Sequence, residues 1–309
     1  MQDILKEHSE RLTLMVGNGI NLSNGRPGNE SWKDILERIG RNLRFPVSRQ
    51  ELDKRSLVEF SDLLQLHSED ADDDDDDRNK SVQRAFSETI ENWKHGRSHA
   101  AITKWAKRYD APILTTNFDT TLSDACGAKL EHAKKGSEGA PFSRFYPWSS
   151  RYEVPGQPID KPRNSFAIWH INGMSEYLSS VRLGLSHYMG SVQQARTWMH
   201  RGDDRLFANE HAIDRWKGWN TWLDAFFAND LLIFGLGLSR DEVFLRWLLI
   251  ERARYFRKFG NRDRKAWYVW AKGEEKEDRD RDFFLKHVGV QVVGVKSFGA
   301  IYSCQTWSA

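Results

Sequence analysis

The sequence predicts an α/β protein built on a doubly wound, mostly parallel sheet with helices on both faces. Three observations carry that reading. Short apolar runs alternate with stretches of helical spacing, the runs end abruptly in glycine or polar residues, and neither an internal repeat nor a clear linker divides the 309 residues. Strands that alternate with helices cross over in parallel, and a parallel sheet is covered on both faces, so its strands read as continuous apolar runs. Compact domains commonly hold about 100 to 200 residues, and residues 1–309 are read as one domain carrying an insertion.

Leu12 to Val16 (L-T-L-M-V) is the first strand candidate; it stops at Gly17-Asn18-Gly19, and the helical pattern W-K-D-I-L-E-R-I-G follows from Trp32. From Arg55 to about Lys107 the apolar spacing is helical, through Leu57, Phe60, Leu64, Val82, Phe86, Ile90, Ile102 and Trp105, and the span 45–107 is assigned to a helical insertion. Inside it, Asp70 to Asp77 is an acidic tract broken only by Ala71, whose self-repulsion makes a solvated loop. A second strand, A-P-I-L-T-T from Ala111, leads into a helix start, T-L-S-D-A. Residues 134–164 are rich in Gly, Pro, Ser and basic side chains without a sustained period, and read as an irregular surface excursion.

A third strand, S-F-A-I-W-H, ends at His170, and helices are expected around Leu185 to Met199 and Ile213 to Phe227. The clearest strand, D-L-L-I-F-G-L-G from Asp230 to Gly237, runs into the amphipathic D-E-V-F-L-R-W-L-L-I-E-R. A strand at Ala266 to Trp270, an acidic helix near Glu274 to Lys286 and a strand at Val290 to Val295 close the pattern.

With 39% hydrophobic and 29% charged residues, 13 Trp and 17 Phe, the composition is that of a globular protein. A formal net charge of +2 gives no whole-chain signal for nucleic acid or a membrane surface. No apolar run approaches the roughly 18 residues that span a bilayer, and M-Q-D-I-L-K-E-H-S-E lacks the layout of a signal peptide, so a cytoplasmic location is expected. Cys126 and Cys304 are too few for a disulfide framework or a four-cysteine zinc site, and no metal is expected.

In an open parallel sheet, ligands bind beyond the carboxyl ends of the strands, near the point where strand order reverses. The informative residues are therefore those just after each strand: G-N-G-I-N-L-S-N-G, T-N-F-D, H-I-N-G and G-L-G-L-S-R-D. Each has a plain alternative. A glycine pair after a strand is often only a turn, and Asn117 and Asp119 equally suit a helix cap. His170 at the end of an apolar run equally suits a satisfied structural histidine, and Gly235, Gly237, Ser239 and Asp241 equally suit a strand-to-helix turn.

Their order along the chain resembles the sirtuin-like family, from about residue 12 to about 295. The family's first loop, G-A-G-x-S, is matched at Gly17 and Gly19, with Asn18 and Asn21 in place of Ala and Ser. Its T-Q-N-x-D is Thr115, Thr116, Asn117, Phe118 and Asp119; its histidine before a glycine turn is His170 with Gly173. Its late glycine loop is Gly235 to Ser239, continuing here to Asp241. No cysteine lies between His170 and Gly235, where the deacylases carry a zinc module, and the proline-arginine element is reversed at Arg26-Pro27. Trp32 followed by I-L-E-R-I resembles the divergent prokaryotic branch, mostly NAD⁺ hydrolases of bacterial anti-phage defence.

The resemblance implies a Rossmann-like fold without a zinc module and NAD⁺ as substrate. It implies Asn117 and His170 as the catalytic pair, with Asp119 on the nicotinamide amide. Gly17, Asn18, Gly19 and Asn21 would lie at the phosphates, Gly237 and Ser239 beside the adenosine half, and Thr116, Gly235 and Asp241 would complete the contacts. The expected activity is an NAD⁺ glycohydrolase that depletes NAD in abortive infection; the alternatives are a deacylase or ADP-ribosyltransferase and a non-catalytic NAD or ADP-ribose sensor. Uncontrolled NAD⁺ loss is lethal, so a regulatory protein partner or a homo-oligomer is expected, with the acidic tract and the basic stretch Arg252 to Lys265 as surface features and solvated charge as their simpler explanation.

Overall fold

One eight-stranded sheet organises the computed structural model, which describes residues 1–23, 30–46, 48–52, 54–69, 81–132, 148–157, 159–260, 264–273 and 278–308. The strands are β1 (Leu12–Val16), β2 (Ile113–Thr115), β3 (Lys129–His132), β4 (Ser150–Glu153), β5 (Ile168–His170), β6 (Asp230–Phe234), β7 (Ala266–Ala271) and β8 (Gln291–Val295). They lie in the order β3-β4-β5-β2-β1-β6-β7-β8. The six from β5 to β8 are parallel. From β1 the chain builds outward through β2 and β5, then crosses back to lay β6 on the other side of β1. That reversal is the doubly wound, Rossmann-like arrangement, and it puts the topological switch point at β1.

The central strands β5, β2, β1, β6 and β7 are buried on both faces, which is why they show no polar alternation. Leu14, Val16, Ile113, Ile168, Leu232 and Phe234 pack on one face with Ile102 and Trp105 of helix Arg97–Arg108. Met15, Leu114, Trp169, Leu231 and Ile233 pack on the other with helices Trp222–Ala228 and Val243–Phe259. Each such side chain contributes about 1.5–3 kcal/mol when fully buried.

A separate apolar cluster joins helices Trp32–Asn42, Leu57–Glu69 and Ser81–Ile90 around Ile39, Phe60, Leu64 and Phe86. It also takes in Phe118, Val181 and Leu183, from segments that follow β2 and β5, so this helical layer is seated beside the carboxyl ends of the strands. Helix Arg97–Arg108, from the same 45–107 span, packs on the sheet instead. The acidic tract Asp70 to Asp77 lies outside the described residues.

The stretch 134–164 is not wholly an irregular excursion. Ser150–Glu153 is the strand β4, buried throughout and antiparallel to both β3 and β5; residues 133–147 lie outside the described residues. Its polarity hid it. Arg151 donates to Glu153 at 2.5 Å and lies over the Trp169 ring at 5.3 Å, so two charges that look solvent-facing in sequence are buried against each other. The helix expected at Ile213 to Phe227 is shorter, Trp222–Ala228, because the Thr221 hydroxyl accepts from Leu223 N and starts it there. The acidic helix likewise starts at Arg279, where Asp278 accepts from Arg281 N, and residues 274–277 are outside the described set. Arg252 is buried and donates to the carbonyls of Phe226 and Asn229, so the basic stretch begins with a structural residue. Residues 261–263 of that stretch are not described.

Candidate active site

Four strand ends meet at one level. Val16 is in register with Thr115 and with Phe234, and Thr115 with His170, so the turns after β1, β2, β5 and β6 stand side by side. The Thr115 hydroxyl donates to Val16 O at 2.9 Å and accepts from Asn117 N at 3.0 Å. Thr116 N donates to Val16 O at 3.1 Å, which stitches the next peptide to β1. The backbone at Asn117 is thereby fixed before its side chain does anything.

His170 is buried, and its Nδ1 lies 2.7 Å from the main-chain carbonyl oxygen of Asn117. A carbonyl only accepts, so Nδ1 carries the proton and Nε2 is the bare, basic nitrogen. Burial pulls the imidazole below the ordinary histidine range, against the opposing pull of the Asn117 carbonyl and the charges of Asp119 and Glu176. His170 is neutral at neutral pH. The Asn117 amide nitrogen donates to Gly17 O at 3.3 Å, which turns its Oδ1 the other way. Neither His170 Nε2 nor Asn117 Oδ1 has a partner among the described residues, although both are buried. Two orphaned acceptors on adjacent strand ends call for O–H or N–H donors from a ligand. Tyr152 walls the pair, its ring 5.3 Å from the imidazole and its hydroxyl on Glu176.

Asp119 and Asn21 form a second, fully connected layer. Asp119 accepts from Thr121 N at 3.1 Å, from the Thr121 hydroxyl, and from Asn21 Nδ2 at 2.9 Å. Asn21 also donates to Asn18 Oδ1 at 3.0 Å, and its own Oδ1 accepts from His99 Nε2 at 2.9 Å, with the Thr121 hydroxyl oxygen 3.2 Å away. Asn18 in turn donates to Glu30 O at 3.0 Å; Arg26 and Pro27 lie outside the described residues.

The glycines after β1 serve a close approach between two turns. Gly17 N donates to Phe234 O and Gly19 N to Gly235 O. A side chain at Gly17 would stand 2.3 Å from Gly235 O, and one at Gly19 would stand 2.7 Å from Gly235 Cα. Gly235 itself has φ +70°, in the region that favours glycine. The N–H groups of Gly17 and Gly19 therefore face β6.

Beyond Gly235 the late loop opens onto the helical layer. Gly237 and Ser239 are exposed, and Asp241 accepts from Leu57 N at 3.3 Å. Ser239, Asp241 and Glu242 line one side of a cleft whose other walls include Trp32, Phe118 and Arg182. Burial, with the Asp241 charge beside it, pushes the Glu242 carboxyl up to about 7.

Sequence reasoning singled out Asn117, His170 and Asp119, and the fold brings them together with Asn18 and Asn21. It did not find His99, Thr121, Tyr152, Arg182 or Glu242. Thr121 alone had a local signal, its place two residues after Asp119 at a helix start. Among the described residues, no group of three or more His, Cys, Asp or Glu is placed to hold a metal ion, and no helix is long and apolar enough to cross a membrane.

No curated protein matches the chain. A family model described as the SIR2-like domain matches residues 111–293, from the start of β2 into β8, and so includes Asn117, Asp119, His170 and the late glycine loop. That match covers more than half of the 309 residues. The chain belongs to the SIR2-like family, which uses NAD.

Proposed function

We propose that this protein is an NAD⁺ glycohydrolase, cleaving the nicotinamide-ribose bond to give nicotinamide and ADP-ribose. One observation carries the reading: the two orphaned, buried acceptors His170 Nε2 and Asn117 Oδ1. A ribose presents hydroxyl donors and an attacking water presents O–H, so the pair fits both the sugar and the nucleophile. Family membership supplies the rest of the ligand.

Cleavage passes through an oxocarbenium-like state, as in other glycoside hydrolysis. Nicotinamide departs as a neutral ring, so no strong general acid is required. His170 accepts the proton of the attacking water at Nε2, while the Asn117 carbonyl on Nδ1–H holds the imidazole in the competent tautomer. Asn117 Oδ1 orients that water or a ribose hydroxyl. Water and NAD⁺ are consumed, nicotinamide and ADP-ribose form, and one proton passes from His170 to solvent. Asp119 faces the nicotinamide amide, the pyrophosphate lies across the β1–β6 switch point, and the cleft at Ser239 borders the adenosine half.

The same reading makes the protein an NAD-depleting effector of anti-phage defence, cytoplasmic, and restrained by a protein partner or by self-association. The test is product analysis with NAD⁺ and an acetyl-lysine peptide together, alone and with genomic neighbours co-purified. Nicotinamide with ADP-ribose and an intact peptide supports hydrolysis. Deacetylated peptide moves the acceptor from water to acyl-lysine, and stable intact NAD⁺ in every arm leaves a sensor.

A further inference from the structure

A second buried histidine, His99, makes no direct hydrogen bond to Asp119 among those described, yet it joins the network beneath the site through Asn21. Its hydrogen bonds can be read in one direction only. Gly96 N, a main-chain donor, lies 3.0 Å from His99 Nδ1, so Nδ1 is bare. In the neutral ring the proton is then on Nε2, and Nε2 donates to Asn21 Oδ1 at 2.9 Å. With its oxygen committed to His99, the Asn21 amide has one orientation: both N–H groups point the other way, one to Asn18 Oδ1 and one to Asp119 Oδ2. Turned over, Asn21 would set its oxygen against the Asp119 carboxylate and its N–H against His99 Nε2–H, losing its bonds to both.

Asn21 thus has both donors filled and its oxygen held by His99 while being wholly buried. It has no donor left for a phosphate. This changes the part expected of it from ligand contact to the hub that aims Asp119.

Resting on the hydrolase reading above, we infer that His99 is a positioning residue: through the Asn21 amide, its Nε2–H fixes the direction of the Asp119 carboxylate for substrate. Helix Arg97–Arg108 provides the rigid mount, since the buried side that carries His99 is also packed on the sheet through Ile102 and Trp105. A network in which every polar atom is satisfied holds one geometry, and a displacement of about 1 Å at a substrate-holding group costs on the order of a hundredfold in rate.

His99 also caps its own helix, because it is the acceptor for Gly96 N–H, and two conservative substitutions separate the two jobs. His99→Asn keeps an acceptor where Nδ1 stood but cannot reach Asn21. His99→Gln keeps a donor where Nε2 stood but gives up the cap. The positioning role predicts His99→Gln within about threefold of wild-type kcat and His99→Asn at least tenfold lower, with Tm the lower of the two in His99→Gln. Wild-type kcat in His99→Asn, or an equal fall in both, overturns the inference. Should neither variant fold, Asn21→Ser removes the amide that links His99 to Asp119; a fall in kcat of fivefold or more then supports the network and unchanged kcat overturns it. If wild-type protein turns over no NAD⁺, it is the hydrolase reading that fails, and the network is read from ADP-ribose affinity by calorimetry. A tenfold loss in His99→Asn, restored in His99→Gln, supports it; equal affinities reject it.

Discussion

His170 and His99 are both buried histidines within reach of the same aspartate region, and they are built in opposite ways. His170 holds its proton on Nδ1 and leaves Nε2 without a partner; His99 holds its proton on Nε2 and uses both nitrogens. A buried polar atom with no partner is costly, about 1–3 kcal/mol, and folds keep few of them. The unpaired atoms of His170 and Asn117 therefore mark the side shaped for a ligand, and the paired atoms of His99 and Asn21 mark the support behind Asp119. Chemistry and scaffolding are separated by hydrogen-bond accounting at two residues of the same type.

The largest effect that would break this contrast is loss of turnover. His170→Ala and Asn117→Ala should each lower kcat by roughly 10³-fold, within the range general acid–base groups contribute, while circular dichroism and Tm stay near wild type. Activity retained in both would dissolve the distinction. Next comes the switch point: Gly19→Ala puts a methyl group 2.7 Å from Gly235 Cα, and urea unfolding should show a loss of about 3 kcal/mol. Wild-type stability would mean the two turns move apart freely, and with them the strand ends.

A pH profile sharpens the comparison further. Because burial lowers the His170 pKa, the bare Nε2 persists in mild acid, and kcat/KM should show no histidine limb at 6.5 and fall only at lower pH. A half-maximal point at 6.5 would place His170 in open solvent. The smallest effect concerns the cleft. The Glu242 carboxyl, raised to about 7 in the fold against 4.5 when exposed, stabilises the fold below pH 4.5, and that contribution is lost as pH rises through 7. Glu242→Gln should therefore gain about 1 kcal/mol at pH 8 and nothing at pH 4, read as Tm at the two pH values.

What could be read in advance follows the same division. The strand ends were legible because a parallel sheet buried on both faces leaves apolar runs, and each run stops where the chain must turn toward a ligand; Asn117 and His170 fall at such stops. β4 was not legible, since Arg151 and Glu153 satisfy each other under cover and leave a polar pattern in sequence. Nor was His99: its partner Asn21 is 78 residues away, and nothing local in R-S-H-A-A-I announces a contact that only the fold creates. The glycines after β1 were found for their conformational freedom, but their necessity comes from Gly235 across the switch point, a tertiary fact.

The most direct test of the central claim is NAD⁺ turnover in ¹⁸O-labelled water, with wild type and His170→Ala in parallel, alone and with co-purified neighbours. The account predicts that wild type releases nicotinamide in step with ADP-ribose carrying one ¹⁸O at the anomeric carbon, and that His170→Ala releases neither. Unlabelled product, or equal turnover by the variant, would contradict it.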